Sequence, residues 1–554
     1  MTLKCNTFLT TVGVGLLAIG MCASPSLGAD QATPVTAGPQ VTVDSGTLVG
    51  AKSDGVLAFK GIPYAAPPVG KLRWRPPQPA VSWSGVREAK TYGNECMQDA
   101  ARLRSAPLRA PLSEDCLYLN VWRPANGAKN LPVMVWIHGG GFVNGGSSPA
   151  IFDGTDFARD GVVLVSVNYR LGRFGFFGFP ALTAEDPNGL KGNYGYMDQI
   201  AALKWVRGDI SAFGGDPNEV TIFGESAGGG SVHMLLTSPL AHGLFKRAII
   251  ESGGGRDSLM GPRRLSKDLP RNPSLETIGV NFAKSVGIDG TGPEALEKLR
   301  ELSAEKVVAG LSMRNMGPSG PPTYGGPAED GRIVTMSPQQ AYEAGKQAKV
   351  PIMIGANSAD LGMFAAKTKD AAFASFGKER DKAREAYDPK GDASVREVGS
   401  KIGMDRTMVE PARFTVREFS AQGLPAYEYR FSYVSPGEEA IIENGGLPAA
   451  RGGAKGAPHA SEIPYVFDTV EASIFGQSLV PTDESIAGKM HAYWVNFAKA
   501  GNPNGEGLPN WPAYDPEKDM LMNFTSNGPE AMADPWKSRL DVTEAWASQH
   551  KPGS

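Results

Sequence analysis

The chain reads as an α/β protein built on a doubly wound, mostly parallel central sheet with an antiparallel N-terminal edge. Three observations predict this: short continuous apolar runs rich in β-branched residues, helical periodicities between them, and early strands joined by tight-turn signals. Apolar runs without polar alternation mark strands covered on both faces. They fall at residues 132–138, 161–169, 220–224, 247–252 and 350–355. Between the third run and the second, residues 198–213 place Ile200, Leu203, Trp205, Val206 and Ile210 near one helical face, and residues 486–500 repeat the pattern late in the chain. Residues 41–64 read as antiparallel strands turning at Asp44-Ser45-Gly46 and Ser53-Asp54-Gly55, and are expected as an edge sheet. Two Gly/Pro-rich stretches, 316–327 and 436–458, are expected as ordered loops near a site.

Composition narrows the class. Of 554 residues, 41% are hydrophobic and 20% charged, enough for a large core. The 69 glycines and 43 prolines point to many ordered loops and stop short of a disordered composition. With 55 basic and 58 acidic residues the net charge is −3, so no basic excess exists to neutralise phosphates, and a nucleic-acid binder is not expected. Lys4 precedes an apolar run at residues 8–21, and small residues follow through Ala29. That order is a secretory signal peptide over residues 1–29, too short for the ~20 apolar residues of a membrane span. Cleavage near Gly28 or Ala29 would release residues 30–554 as a single α/β domain to the periplasm or the exterior. Cys5 and Cys22 would leave with the leader. Cys96 and Cys116 remain, and in an oxidising compartment an isolated pair is a disulfide candidate; the alternative is two buried thiols. No C-x-x-C or H-E-x-x-H spacing offers a metal site, and neither metal nor cofactor is expected.

The chemistry sits on one strand–turn–helix. Gly224-Glu225-Ser226-Ala227-Gly228 matches G-x-S-x-G, after a strand and before a helix, the context of a nucleophile elbow. Gly224 and Gly228 allow close backbone approach, so that Ser226 projects its hydroxyl from a sharp turn beside a helix N-terminus. A serine nucleophile needs donors for the oxyanion that forms on its substrate. His138-Gly139-Gly140-Gly141 follows an apolar strand, and consecutive glycines can turn their N–H groups toward one point together with that of Ala227. A base is needed as well. In the chain order Ser, acid, His, the histidines beyond Ser226 are His459, His491 and His550. His459 ends a Gly-rich loop and suits presentation over a sheet edge; His491 lies in an amphipathic helix and His550 in a polar tail. His233, seven residues after Ser226 on its helix, reads as structural. Asp360 occupies a loop after the 350–355 strand, where it would orient His459; Glu329 and Asp330 are its rivals.

Several segments together resemble the type-B carboxylesterase/lipase family, which includes cholinesterases and bacterial para-nitrobenzyl esterases. They are Phe59-Lys60-Gly61-Ile62-Pro63-Tyr64-Ala65, Glu114-Asp115-Cys116-Leu117-Tyr118-Leu119-Asn120-Val121-Trp122, the glycine loop ending at Phe142, Asn168-Tyr169-Arg170-Leu171-Gly172, and Asn193-Tyr194-Gly195-Tyr196-Met197-Asp198-Gln199. Phe213-Gly214-Gly215-Asp216-Pro217, the Ser226 elbow, His459 and Gly501-Asn502-Pro503 complete the set. The resemblance implies an α/β-hydrolase fold, a Ser226–Asp360–His459 triad, an oxyanion hole from Gly140, Gly141 and Ala227, and the Cys96–Cys116 disulfide. One departure stands out. Most members carry Glu followed by Gly at the acid position, whereas this chain has Asp360, then Leu361 and Gly362, so the shorter acid must lie closer to His459. Ser252 resembles a buried second serine that supports the site in relatives; a plain strand-end turn is the other reading. Glu225 and Glu462 are expected to be buried and hydrogen-bonded rather than catalytic.

The function implied is a serine carboxylesterase acting on small-molecule esters through an acyl-enzyme on Ser226, with loss of activity as His459 protonates near pH ~6.5 or below. The alternative is a non-catalytic, cholinesterase-like binding or adhesion module. Arg170, Arg173 and Arg256 are open to two readings, contacts to an anionic ester or structural salt bridges, of which the second is preferred. No long apolar lid is evident, which favours small or aromatic esters over long triglycerides.

Overall fold

The computed structural model describes residues 38–99, 106–257, 263–313, 320–362, 364–444 and 455–550. The leader expected at residues 1–29 lies outside them. Eleven strands form the central sheet, numbered here in chain order: β1 (Ala51–Ser53), β2 (Val56–Pro63), β3 (Tyr118–Pro124), β4 (Leu131–Ile137), β5 (Val163–Val167), β6 (Gly215–Glu225), β7 (Arg247–Glu251), β8 (Ile352–Asn357), β9 (Ala426–Phe431), β10 (Met520–Thr525) and β11 (Gly528–Ala533). Their spatial order is β11-β10-β9-β8-β7-β6-β4-β5-β3-β2-β1. From β5 through β10 every neighbouring pair is parallel, and both edges are antiparallel. This is the α/β-hydrolase arrangement.

The predicted strands occur because their runs are buried on both faces: every residue of β5, β7 and β8 is buried. Aromatic packing thickens one face, where Trp136 of β4 has the rings of Phe223, Phe467 and Phe152 at 4.8, 5.0 and 5.2 Å. Helices α1 (Tyr194–Asp209), α2 (Ala227–Thr237) and α3 (Pro481–Ala500) cover the sheet, and none among the described residues is long and apolar enough to cross a membrane.

Two expectations change, and a strand that no apolar run announced joins the sheet. The early strands do not form one edge: β1 and β2 join the central sheet through the two-residue Asp54-Gly55 turn, both residues at positive φ, but Gln40–Val43 and Gly46–Val49 build a separate sheet with Val86–Glu88. Strand β9 interrupts its apolar residues with Glu428 and Arg430, both 2% exposed; Arg430 is paired with Asp534 at 2.9 Å, so a central strand lacks a continuous apolar run. The 436–458 stretch is not all loop. Ser435 and Pro436 start a helix, Pro436–Glu443, with Ser435 Oγ accepting from Glu438 N at 3.0 Å; residues 445–454 lie outside the described residues.

Cys96 and Cys116 are joined by a disulfide, 20 residues apart. On the chain-entropy model such a loop is worth about 3 kcal/mol. The Cys96→Ser/Cys116→Ser variant is therefore expected to melt at lower temperature than the parent by circular dichroism, and the parent should lose the difference on reduction. Equal midpoints would show that the bridge adds nothing to stability.

Candidate active site

The site gathers at the carboxyl ends of the parallel strands, where open α/β sheets place their ligand crevices. Strand β6 ends at Glu225 and α2 begins at Ala227, leaving Ser226 alone in the turn at φ 57°, ψ −119°. That conformation is sparsely populated for a non-glycine residue and persists only where its surroundings impose it. Two constraints do so. Ser226 N donates to Glu251 O at 2.9 Å, and its own carbonyl accepts from Gly230 N at 2.8 Å. The flanking glycines are required sterically: a Cβ on Gly228 would lie 1.9 Å from Ile137 O, and one on Gly224 2.6 Å from the same atom.

The glycine loop follows β4. Gly140 and Gly141 take φ 107° and 63°, and Gly140 O accepts from Val143 N at 3.1 Å and Asn144 N at 2.9 Å. The carbonyl is thereby used inside the loop. Ala227, as the first residue of α2, has an N–H with no intrahelical partner. Gly141, Ser226 and Ala227 line one cavity of about 560 Å³.

His459 and Asp360 arrive on two loops clamped together. Ala359 N donates to Ala457 O at 2.8 Å, Ala457 N to Ser358 Oγ at 2.9 Å, and Asn357 Nδ2 to Pro458 O at 2.6 Å. The result is a 2.6 Å bond from His459 Nδ1 to Asp360 Oδ1. The Asp360 carboxylate takes further donors: Leu361 N on Oδ1 at 2.7 Å, and Ser252 Oγ at 2.6 Å and Asn357 N at 2.8 Å on Oδ2. Its rival Glu329 pairs with Arg264 instead, and Asp330 serves the turn at Arg332, Ile333 and Val334. Burial pushes the Asp360 carboxyl up, and the His459 charge with these hydrogen bonds more than offsets it, holding the group below the usual carboxylate range. For His459 burial works downward and Asp360 upward, and Asp360 wins: the imidazole is more basic than an ordinary histidine.

A profile of the carboxylesterase family matches residues 37–541. The chain belongs to the carboxylesterase family. It is 34% identical over 540 residues to the fumonisin B1 esterase of Sphingopyxis macrogoltabida, covering 94% of this chain and 93% of that one. To the para-nitrobenzyl esterase of Bacillus subtilis (strain 168) it is 35% identical over 498 residues, covering 86% and 93%. A solved PNB esterase structure superposes with a TM-score of 0.74 at 32% identity, covering 91% of this chain and 99% of that chain. The protein is thus a carboxylic-ester hydrolase, and the reading as a non-catalytic binding module is set aside.

Near the imidazole this carboxylesterase buries Glu225 and Glu462, with Glu251 close to those two carboxyls. Glu225 Oε1 lies 3.0 Å from His459 Nε2 without a hydrogen bond. Glu462 accepts from Asn357 Nδ2, and Glu251 accepts from Trp494 Nε1 at 2.7 Å. Glu462 therefore meets its expectation, whereas Glu225 is buried with Oε1 unpartnered among the described residues. Burial raises all three, Glu251 to about 8, whereas Asp360 is held below its ordinary range.

The other predicted residues separate from the site. His233 is bonded to Tyr342 Oη at 2.6 Å and Gly254 O at 3.1 Å, and burial pushes it down to about 4. His491 meets Val466 O at 2.8 Å, and His550 stacks on Trp546. Arg170 and Arg256 are structural ion pairs with Asp198 and Glu410; Arg173 holds the carbonyls of Val307, Ala309 and Thr323 instead of an acid. Residues 324–327 of the Gly/Pro-rich stretch expected near a site do line the cavity, but sequence reasoning passed over Met404, whose Sδ lies 3.2 Å from Asp360 N, and Arg263 and Met408, which also line it. No local motif marks them, because each enters from a separate loop or helix.

Proposed function

We propose that the protein is a serine carboxylesterase that hydrolyses small or aromatic carboxylic esters through an acyl-enzyme on Ser226. The observation that carries this reading is the 2.6 Å His459–Asp360 bond in a family member whose Ser226 stands in a strained elbow lining the cavity. Asp360 fixes the imidazole with its proton on Nδ1, leaving Nε2 to take the Ser226 proton. The serine oxygen attacks the ester carbonyl, and the N–H groups of Gly140, Gly141 and Ala227 bind the oxyanion. The C–O bond to the alcohol then breaks, with His459 returning the proton to the departing oxygen. Water, deprotonated by His459, attacks the acyl-Ser226 carbonyl, and the second collapse releases the acid and restores the serine. The leader at residues 1–29 would carry the enzyme out of the cytoplasm, consistent with a disulfide at Cys96–Cys116.

Mass spectrometry after treatment with an organophosphate tests the assignment. One adduct on the Ser226 peptide is expected; modification elsewhere, with turnover retained after Ser226 is replaced, would remove the nucleophile from this role. The pH profile is a second check. The base form of His459 is neutral, and Asp360 raises its basicity, so activity should fall on the acid side with a midpoint above the ordinary ~6.5. The residues alone put this midpoint near ~6.5 or below, and the Asp360 carboxylate moves it upward. A plot of kcat/KM that stays flat from pH 5 to 8 would argue against a histidine base.

A further inference from the structure

The three arginines that the sequence offered to an anionic substrate are engaged elsewhere in the fold, but a fourth stands in the cavity. Arg263 and Glu329 are the two charged residues lining it, alongside Ser226. Glu329 is neutralised by Arg264, its ion-pair partner. Arg263 has no such partner among the described residues. Its Nε donates to Gly325 O at 2.9 Å and its Nη1 to Pro273 O. Both bonds go to neutral backbone carbonyls, which hold the guanidinium in place without cancelling its charge, and Nη2 is committed to no group among the described residues.

A half-buried cation is costly unless an anion or strong acceptor meets it. Burial already makes this guanidinium less basic than an exposed one. Elsewhere the lining is largely apolar, with Phe142, Met313 and Met408. Such a cavity takes its orientation from the few polar groups placed in it. A planar guanidinium with a free N–H pair suits a carboxylate.

We propose that Arg263 is a specificity-determining residue that binds an ionised acid group on the substrate, so that the preferred substrates are esters carrying a second, free carboxylate. This rests on the hydrolytic reading above and narrows its substrate class. The carboxylate is retained through the reaction; only the ester bond at Ser226 is broken.

The test compares matched esters in the full chain by pH-stat at pH 7.5. Ethyl hydrogen glutarate is set against ethyl pentanoate, which puts the charge on the acid side, and 4-carboxyphenyl butanoate against 4-methylphenyl butanoate, which puts it on the alcohol side. In the wild type the anionic member of one pair is expected to have the higher kcat/KM. In Arg263→Gln that pair's anionic-to-neutral ratio should fall about tenfold or more, chiefly through KM, because a charged hydrogen bond is lost. Arg263→Lys, which keeps the charge and loses the fork, should lie between. Ratios equal in the wild type and R263Q for both pairs would overturn the proposal. So would a wild type that cleaves both anionic esters more than tenfold slower than their partners, a result that needs no variant to fold. No turnover of any of the four esters, or turnover that survives Ser226→Ala, would instead sink the hydrolytic reading itself.

Discussion

Ser226→Ala is expected to lower kcat on p-nitrophenyl acetate by about a million-fold, with the far-UV and near-UV circular dichroism of the parent retained. The size follows from what the side chain does. On the proposed mechanism, removing the hydroxyl removes the covalent route and leaves water attack assisted by the donors at Gly140, Gly141 and Ala227. Those N–H groups belong to the backbone, so the substitution leaves them in place. Alanine must adopt the same strained turn as serine, since the bond from residue 226 N to Glu251 O and the contacts of Gly224 and Gly228 with Ile137 O do not involve the hydroxyl. His459→Ala should cost a comparable amount, and the double variant little more than either single one, because a proton acceptor without its nucleophile contributes nothing further. Effects that add on a logarithmic scale would mean that the two side chains act in separate steps.

Much of this was legible before any coordinates, and the reasons are physical. Strands β5, β7 and β8 are buried on both faces, so their sequence has to be apolar without interruption. The elbow is legible for a different reason: no residue but glycine fits where a Cβ would lie 1.9 Å from a carbonyl oxygen, so the packing of β6 and α2 is written into Gly228. Strand β9 was hidden because its burial is achieved by pairing Arg430 with Asp534 rather than by apolar side chains. Residue spacing leaves Asp360 and Glu329 as rivals; the family resemblance favours Asp360, and the fold bonds it to His459. Both are acids after Ser226, but Ala359 bonds to Ala457 beside His459, whereas Glu329 is bonded to the Arg263–Leu265 segment. The cavity wall was legible only where the Gly/Pro-rich stretch reaches it at 324–327; Met408 and Arg263 share no spacing with it and meet it only in three dimensions.

Asp360→Asn is expected to lower kcat by about 10⁴-fold, the loss seen when a triad acid becomes its amide and the wrong imidazole tautomer results. Here the amide has no comfortable orientation. Oδ1 accepts from Leu361 N as well as from His459, and Oδ2 accepts from Asn357 N as well as from Ser252. Whichever way the amide is turned, its NH2 faces a backbone N–H that can only donate, in a residue 4% exposed. If the NH2 takes the Oδ1 side, His459 must present Nδ1 as an acceptor, and its proton moves to Nε2, where Ser226 needs a base. If it takes the Oδ2 side, the histidine keeps its bond but loses the negative charge that makes it basic. The residual activity separates these causes from simple misfolding. Without the Asp360 charge and its hydrogen bond, the largest influence left on His459 is burial, which lowers it, so the acid limb of the residual kcat/KM should move to lower pH than in the parent. Asp360→Glu keeps the charge and asks the loop at 357–361 to accommodate one methylene, so it should lose less than D360N and keep its acid limb near that of the parent. An acid limb that stays put in D360N would mean that His459 draws its basicity from another of the buried carboxyls, with Glu462, which also raises it, the first to replace.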